Sequence, residues 1–310
     1  MTQLAHKMGF LTLVEDRPTP KCVYGWRVYF SAFVVGSAAI TIGYDSAFIG
    51  GTLALTSFTK EFFTGMRPTE VDLLKANIVS CYQAGAFFGA LAAYPFGHYL
   101  GRKKGLAIFA TVFIVGAGMM LAVSRERGLG LMYAGRVLAG LGVGAMSNLS
   151  PIYCSEISPP AIRGRLVGLY ELSWQIGGLV GFWINYGVDQ TLPSNRTQWL
   201  VPFAVQLIPA GILFAGIWFI RESPRWLFSR NRREEGIRNL CWLRNLPAHD
   251  VYMAEEIHAL DSAIETQRAT IGTGFWEPFK AVSRNKRLAY RLALGCSLFL
   301  WQNGTGINSM

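Results

Sequence analysis

The chain has 310 residues, 51% of them hydrophobic and only 15% charged, with a net charge of +10 and a mean hydropathy of +0.29. A soluble domain carries about a quarter of its residues as charges. The deficit here sits in apolar stretches of about 20 residues, the length that crosses about 30 Å of hydrocarbon as a helix, which excludes a soluble fold. Alternation over about ten residues, the mark of a membrane barrel, is missing, and no helix-turn-helix or similar module supports nucleic-acid binding; the basic excess reads instead as an orientation signal.

Residues 1–26 are polar and read as a cytoplasmic tail. The first apolar segment starts late, is long and lacks a convincing cleavage site, so it reads as a retained span rather than a removed signal peptide. Six spans are expected near 27–52, 77–98, 104–123, 130–152, 166–187 and 199–220. Together they make an all-α, six-helix transmembrane bundle over 27–220. Residues 221–287 are charged and helix-forming; Glu255 and Glu256 ahead of Ile257, Leu260 and Ile264 suggest amphipathic helices in a cytoplasmic insert. An apolar run resumes near 288, and a seventh span is expected over 288–310.

With a cytoplasmic N-terminus, only Lys60, Arg67, Lys75, Arg125, Arg127 and Arg196 among the 29 Lys and Arg fall on the far side, a strong positive-inside bias. The sequon Asn195-Arg196-Thr197 falls in a loop on that far side. Gly85 and Gly89, Gly140 and Gly144, and Gly177 and Gly181 recur at four-residue spacing, which lets helix backbones approach closely. The five cysteines lie singly and no His falls in the core of a span, so no metal site and no cofactor are expected, and an enzyme is not indicated.

Ionisable residues inside spans are costly and mark function by default. Asp45 in the first span and Arg136 in the fourth have opposite charge, and lie roughly 15 Å and roughly 10 Å below the outer surface at 1.5 Å per residue. Two readings stand: a static ion pair that fixes helix register, or a switch in which protonation of Asp45 releases Arg136. A second set, Arg102, Glu156, Arg163, Glu222 and Arg225, lies at the cytoplasmic ends of the spans. It reads either as plain topology signals or as a gate of interhelical salt bridges that biases two conformations.

Gly43-Tyr44-Asp45, Gly101-Arg102-Lys103, the series Gly144, Tyr153, Glu156, Arg163-Gly164-Arg165, and Arg221-Glu222-Ser223-Pro224-Arg225 together resemble the signatures of the sugar porters of the major facilitator superfamily. Phe182-Trp183-Ile184-Asn185-Tyr186-Gly187 and Val205-Gln206-Leu207-Ile208-Pro209 look like the fungal quinate permeases within that family. The resemblance implies a proton-coupled secondary transporter of the plasma membrane, a symporter with Asp45 as the coupling acid and Arg136 as its partner. It also implies Gln175, Gln302 and Asn308 as substrate contacts, whose amides can bond ring hydroxyls. The expected partners are the lipid bilayer and a small polyhydroxy substrate, quinate or a relative, with the proton as coupling ion. Alternatives are a hexose–proton symporter, a non-transporting nutrient receptor, or an inactive fragment. His98 stands where the family usually has an acid, and Trp301 where hexose carriers usually have a glutamine, which points away from glucose. The family has two six-span bundles; this chain supplies one and the start of another, and a missing C-terminal half is expected for function.

Overall fold

The computed structural model describes residues 4–8, 11–15, 17–272 and 274–304. Its contacts divide the chain into two compact units, Met1–Ala254 and Glu255–Met310.

The first unit opens on a departure from the all-helical expectation. Strands β1 (Leu4–Met8) and β2 (Leu11–Glu15) pair antiparallel, with Leu4 opposite Glu15 and Met8 opposite Leu11. Thr12 and Val14 are β-branched at alternate positions and favour the extended backbone. A 3₁₀ turn at Lys21–Tyr24 then leads into helix α1 (Trp26–Ala54). There follow α2 (Thr56–Phe62), α3 (Pro68–Tyr99), α4 (Arg102–Leu121), α5 (Gly130–Ile157) and α6 (Arg163–Thr191). After α7 (Arg196–Val205) and α8 (Leu207–Ile217) come α9 (Pro224–Ser229) and α10 (Arg233–Arg244).

The helix limits follow local chemistry. α3 begins at Pro68, well before the span expected from residue 77. Proline suits the first helical position, where its missing N–H costs nothing, and the Glu70 carboxylate reaches back to the Arg67 N–H at 3.3 Å. The last span expected in the bundle, 199–220, is not one continuous helix: it breaks at Gln206 between α7 and α8. Pro209 explains the break, since its ring cannot accommodate the Val205 carbonyl four residues back and it has no N–H to donate.

Read as Arg196–Ile217, α7 and α8 are long and apolar enough to cross a membrane, as are α1, α4 and α5. α3 and α6 are longer than α4, but α6 carries Glu171, Gln175, Asn185 and Asp189 along its length, which lowers its hydropathy. α3 packs along α5, α1 along α6, and α4 along α5. Glycines set how close these pairs come. A Cβ on Gly144 of α5 would sit 1.9 Å from the Ala86 carbonyl oxygen of α3, and one on Gly89 of α3 would sit 2.1 Å from that of Leu141 on α5. Gly43 and Gly177 seal α1 against α6 in the same manner, at 2.0 Å from the Trp174 and 2.3 Å from the Ile40 carbonyl oxygens. In a bilayer, dispersion across such backbone contacts holds helices together.

An aromatic cluster closes one end of the bundle. Trp199 of α7 meets Phe58 and Phe62 of α2 edge-on, each at 5.6 Å between ring centroids, and donates its indole N–H to Glu61 at 2.7 Å. The opposite, basic end carries the α3–α4 connection and the α8–α10 segment. There Arg27 of α1 donates to the Trp242 carbonyl and Arg244 of α10 to the Ile157 carbonyl, at 2.9 and 2.8 Å. The first part of the segment expected to be a separate cytoplasmic insert therefore belongs to the same compact unit as the bundle. The second unit holds most of α11 (Val251–Thr270), with α12 (Glu277–Arg284) packed on α13 (Lys286–Gly304). Over its described residues α13 does not reach the apolar standard of the four spanning helices, because Lys286, Arg287 and Arg291 occupy its first two turns.

Candidate functional site

Asp45 and Arg136 meet inside the bundle. Arg136 Nη1 donates to Asp45 Oδ1 at 3.0 Å, and the side chains are 1% and 0% exposed. Asp45 lies about 14 Å from the α1 C-terminus and Arg136 about 9 Å from the α5 N-terminus, at 1.5 Å rise per residue. The guanidinium also lies over the Tyr82 ring of α3, with Cζ 4.3 Å from the ring centroid, so three helices share the site. A cation over an aromatic face in a desolvated setting is held by about 2 kcal/mol.

The pair is joined through a single hydrogen bond. Asp45 Oδ2, Arg136 Nε and the Tyr82 hydroxyl are all buried, and none makes a hydrogen bond of good geometry with a described residue, although the Tyr82 hydroxyl lies close enough to Asp45 and Ser46 to interact with both. An ion pair kept purely for stability repays its desolvation only when geometry is good and the remaining lone pairs are satisfied. Here one carboxylate oxygen is left without a hydrogen bond.

Around the pair, residues that the sequence offered only as members of family-like motifs fix the helices. Tyr44 donates its hydroxyl to the Pro202 carbonyl at 2.8 Å and stacks on Phe48, tying α1 to α7. Asn185 of α6 donates to the Phe48 carbonyl at 2.6 Å and accepts from the Thr52 hydroxyl at 2.7 Å. Asn185 also lines, with Gly51, Phe182, Tyr186 and Asp189, a cavity of about 330 Å³ between α1 and α6.

At the basic end the structure brings together three of the five residues expected to form a gate. Arg102 Nη2 pairs with Glu156 Oε1 at 2.9 Å, and its Nη1 donates to the Gly97 carbonyl at 2.9 Å. The second Glu156 oxygen accepts from the Ser223 hydroxyl at 2.6 Å. Glu222 acts differently from the salt bridge expected of it: it caps α4. Its carboxylate accepts from the backbone N–H groups of Arg102, Lys103 and Ser223 at 2.9–3.2 Å, satisfying donors that a helix start leaves orphaned and facing the positive end of its dipole. Gly101 makes room for it. It has φ +94°, and a Cβ there would lie 2.5 Å from a Glu222 oxygen. Burial pushes the Glu222 carboxyl above the usual carboxylate range, against the pull of those three N–H groups and the Arg102 charge. Arg163 and Arg225 are exposed and form no ion pair with a described residue. At His98 it is the backbone carbonyl that takes the Trp226 indole N–H at 3.0 Å and the Arg230 Nε–H at 3.1 Å, and those bonds do not depend on the identity of the side chain.

Gln175 is exposed on α6. The Gln302 side chain and Asn308 lie outside the described residues. No cluster of His, Cys, Asp and Glu suited to a metal occurs among the described residues.

A helical membrane bundle of this topology has the major facilitator fold over one six-helix half. The chain belongs to the sugar (and other) transporter family, whose model matches residues 31–310. It is 65% identical over 304 residues to a probable quinate permease of Neosartorya fischeri, a match that takes in 98% of this chain and 56% of that protein. Against the quinate permease of Emericella nidulans the identity is 63% over 303 residues, with the same shares. The chain thus spans about half the length of the curated relatives it matches. Two structures of the xylose transporter XylE share the fold at 23% identity: the proton:xylose symporter bound to 6-bromo-6-deoxy-D-glucose, and the partially occluded inward-open form from E. coli. Their TM-scores are 0.70 and 0.69; each match covers 79% of this chain, and 55% and 61% of the respective structures. These relatives are named as permeases and transporters.

Proposed function

We propose that this chain forms the first half of a proton-coupled symporter that carries quinate or a related polyhydroxy compound across the plasma membrane, with its N-terminus in the cytoplasm. The observation that carries the reading is the one-point Asp45–Arg136 pair, with Asp45 Oδ2 buried and without a hydrogen bond of good geometry. Proton uptake by Asp45 removes its charge and the strongest attraction on Arg136, so that α1 and α5 lose their ionic lock. Loss of the proton restores it. A switch of this kind biases two conformations only through its unequal interaction with each. The names of the relatives support the substrate, and the excess of Lys and Arg at the basic end supports the orientation.

In this reading Gln175 is exposed because it faces the substrate path, which a second bundle completes. Gln302 and Asn308 would meet the same substrate. Rocking of one bundle against another around a midplane site needs both halves, and the relatives carry the extra length for the second. The Arg102–Glu156–Ser223 links and the Glu222 cap hold the basic end of this half rigid, while Arg163 and Arg225 are left available to ion-pair across the bundle interface.

Proton coupling is tested in yeast expressing the complete transporter that contains this chain. Adding quinate to a weakly buffered suspension should alkalinise the medium, as protons enter with substrate. Quinate uptake with no proton movement would overturn the symport. Labelled quinate uptake blocked by excess glucose but untouched by shikimate would replace quinate with a hexose as the substrate.

A further inference from the structure

A cavity of about 550 Å³ opens at the basic end, between the first turns of α4, the last turn of α8 and helices α9 and α10. Its two halves differ in chemistry. Ala107, Ile108, Ile217 and Trp218 make an apolar wall, and Trp218 is 67% exposed on it. Lys103, Lys104, Arg221 and Arg232 make a cationic rim. The rim carries two carboxylates, and both are occupied: Glu222 by the α4 amides and Glu235 by Arg232. Lys103 Nζ donates to the Ile220 carbonyl at 2.8 Å, and Arg221 lies 5.7 Å from the Trp242 ring centroid. Lys104 is exposed, with no hydrogen bond or ion pair among the described residues.

We infer that this cavity is a binding site for one anionic phospholipid, its phosphate held by Lys104 and Arg221 and the upper part of an acyl chain lying along Ile108, Ile217 and Trp218. The order of chemistry matches that of a lipid read from tail to headgroup. The apolar wall lies on α4 and α8, helices apolar enough to span the membrane, with Lys103 and Lys104 in the first turn of α4 and Arg221 just past the end of α8. A Lys or Arg near an anionic lipid surface contributes about 1 kcal/mol, and an exposed tryptophan suits the interface between tails and water. Because Glu222 already takes the α4 N-terminal amides, the phosphate would be held by side-chain cations and not by the helix end. Occupancy would tie the start of α4 to the segment that follows α8, and so brace the network that includes Arg102 and Glu156. None of this rests on the transport reading.

The test is native mass spectrometry of the complete protein released from nanodiscs containing equal amounts of phosphatidylcholine and phosphatidylinositol. One phosphatidylinositol should be retained in preference to phosphatidylcholine. Lys104→Gln and Arg221→Gln should each lower its occupancy about fivefold, the effect of losing about 1 kcal/mol per cation. Both positions are exposed, so neither change should unfold the protein, and circular dichroism checks this. Lys60→Gln, at an exposed position on the other end of the bundle, should change nothing. Trp218→Ala supplies a second variant that keeps the charges and should also lower occupancy. Equal retention of both lipids, or full retention by the Lys104→Gln/Arg221→Gln double variant, would overturn the site. Thermal stabilisation by inorganic phosphate or glycerophosphoinositol equal to that by the whole lipid would overturn the lipid as occupant.

Discussion

At the scale of the residue, two charges dominate. Asp45 and Arg136 were legible in the sequence because ionisable groups are rare inside apolar spans and each demands a partner. Tyr82 was not, because nothing distinguishes a tyrosine that carries a cation on its face from one that merely fills space. Gln302 and Asn308 were named by resemblance alone, and the described residues neither place nor displace them. The pairing leads to a stability prediction. Arg136→Ala, which leaves Asp45 buried without its cation, should cost about 3–5 kcal/mol, whereas the double change Asp45→Asn/Arg136→Gln should cost much less, since no unpaired charge remains. Thermal unfolding of the detergent-solubilised variants checks the ranking; equal losses would mean that the two side chains do not depend on each other.

At the scale of the element, glycine spacing announced that helix backbones would approach closely but not which ones, and the structure puts Gly85, Gly89, Gly140 and Gly144 into the α3–α5 seam. Gly144→Leu should separate that seam and cost at least about 1–3 kcal/mol, as overpacking does. Gly118→Ala, where an added Cβ meets nothing within 4 Å, should be neutral or slightly stabilising. Size-exclusion profiles on heating separate the two outcomes. The break at Gln206 was visible in principle, since Pro209 forbids the bond to Val205, but a hydropathy window averages over it. The hairpin of β1 and β2 was missed because a short polar tail gives no core signal. Glu222 carried a charge that suggested a salt bridge; only the fold shows it closing the α4 N-terminus through backbone amides. Its carboxyl is raised by burial, so the fold favours the neutral form, and that contribution is full below its unfolded pKa and is lost as pH rises through the higher folded value. Glu222→Gln should flatten this part of the stability–pH curve while keeping an acceptor for the cap, and a curve as steep as the unaltered protein's would contradict the assignment.

At the scale of the whole molecule, class and family were legible from composition and a handful of motifs, because a bilayer permits few architectures and the family's turns need particular glycines and charges. The division into two compact units was not legible at residue 254, since it cuts through α11, whose pattern is continuous. The chain spans about half the length of its relatives, and the proposed symport needs the other half. The central claim is that Asp45 couples proton movement to transport, and accumulation of labelled quinate against external pH tests it most directly, in the complete transporter with and without Asp45→Asn. The unaltered protein should concentrate quinate, and more strongly as the medium is acidified, while the variant should exchange quinate without concentrating it at any pH. A variant that still accumulates quinate on a proton gradient would contradict the account.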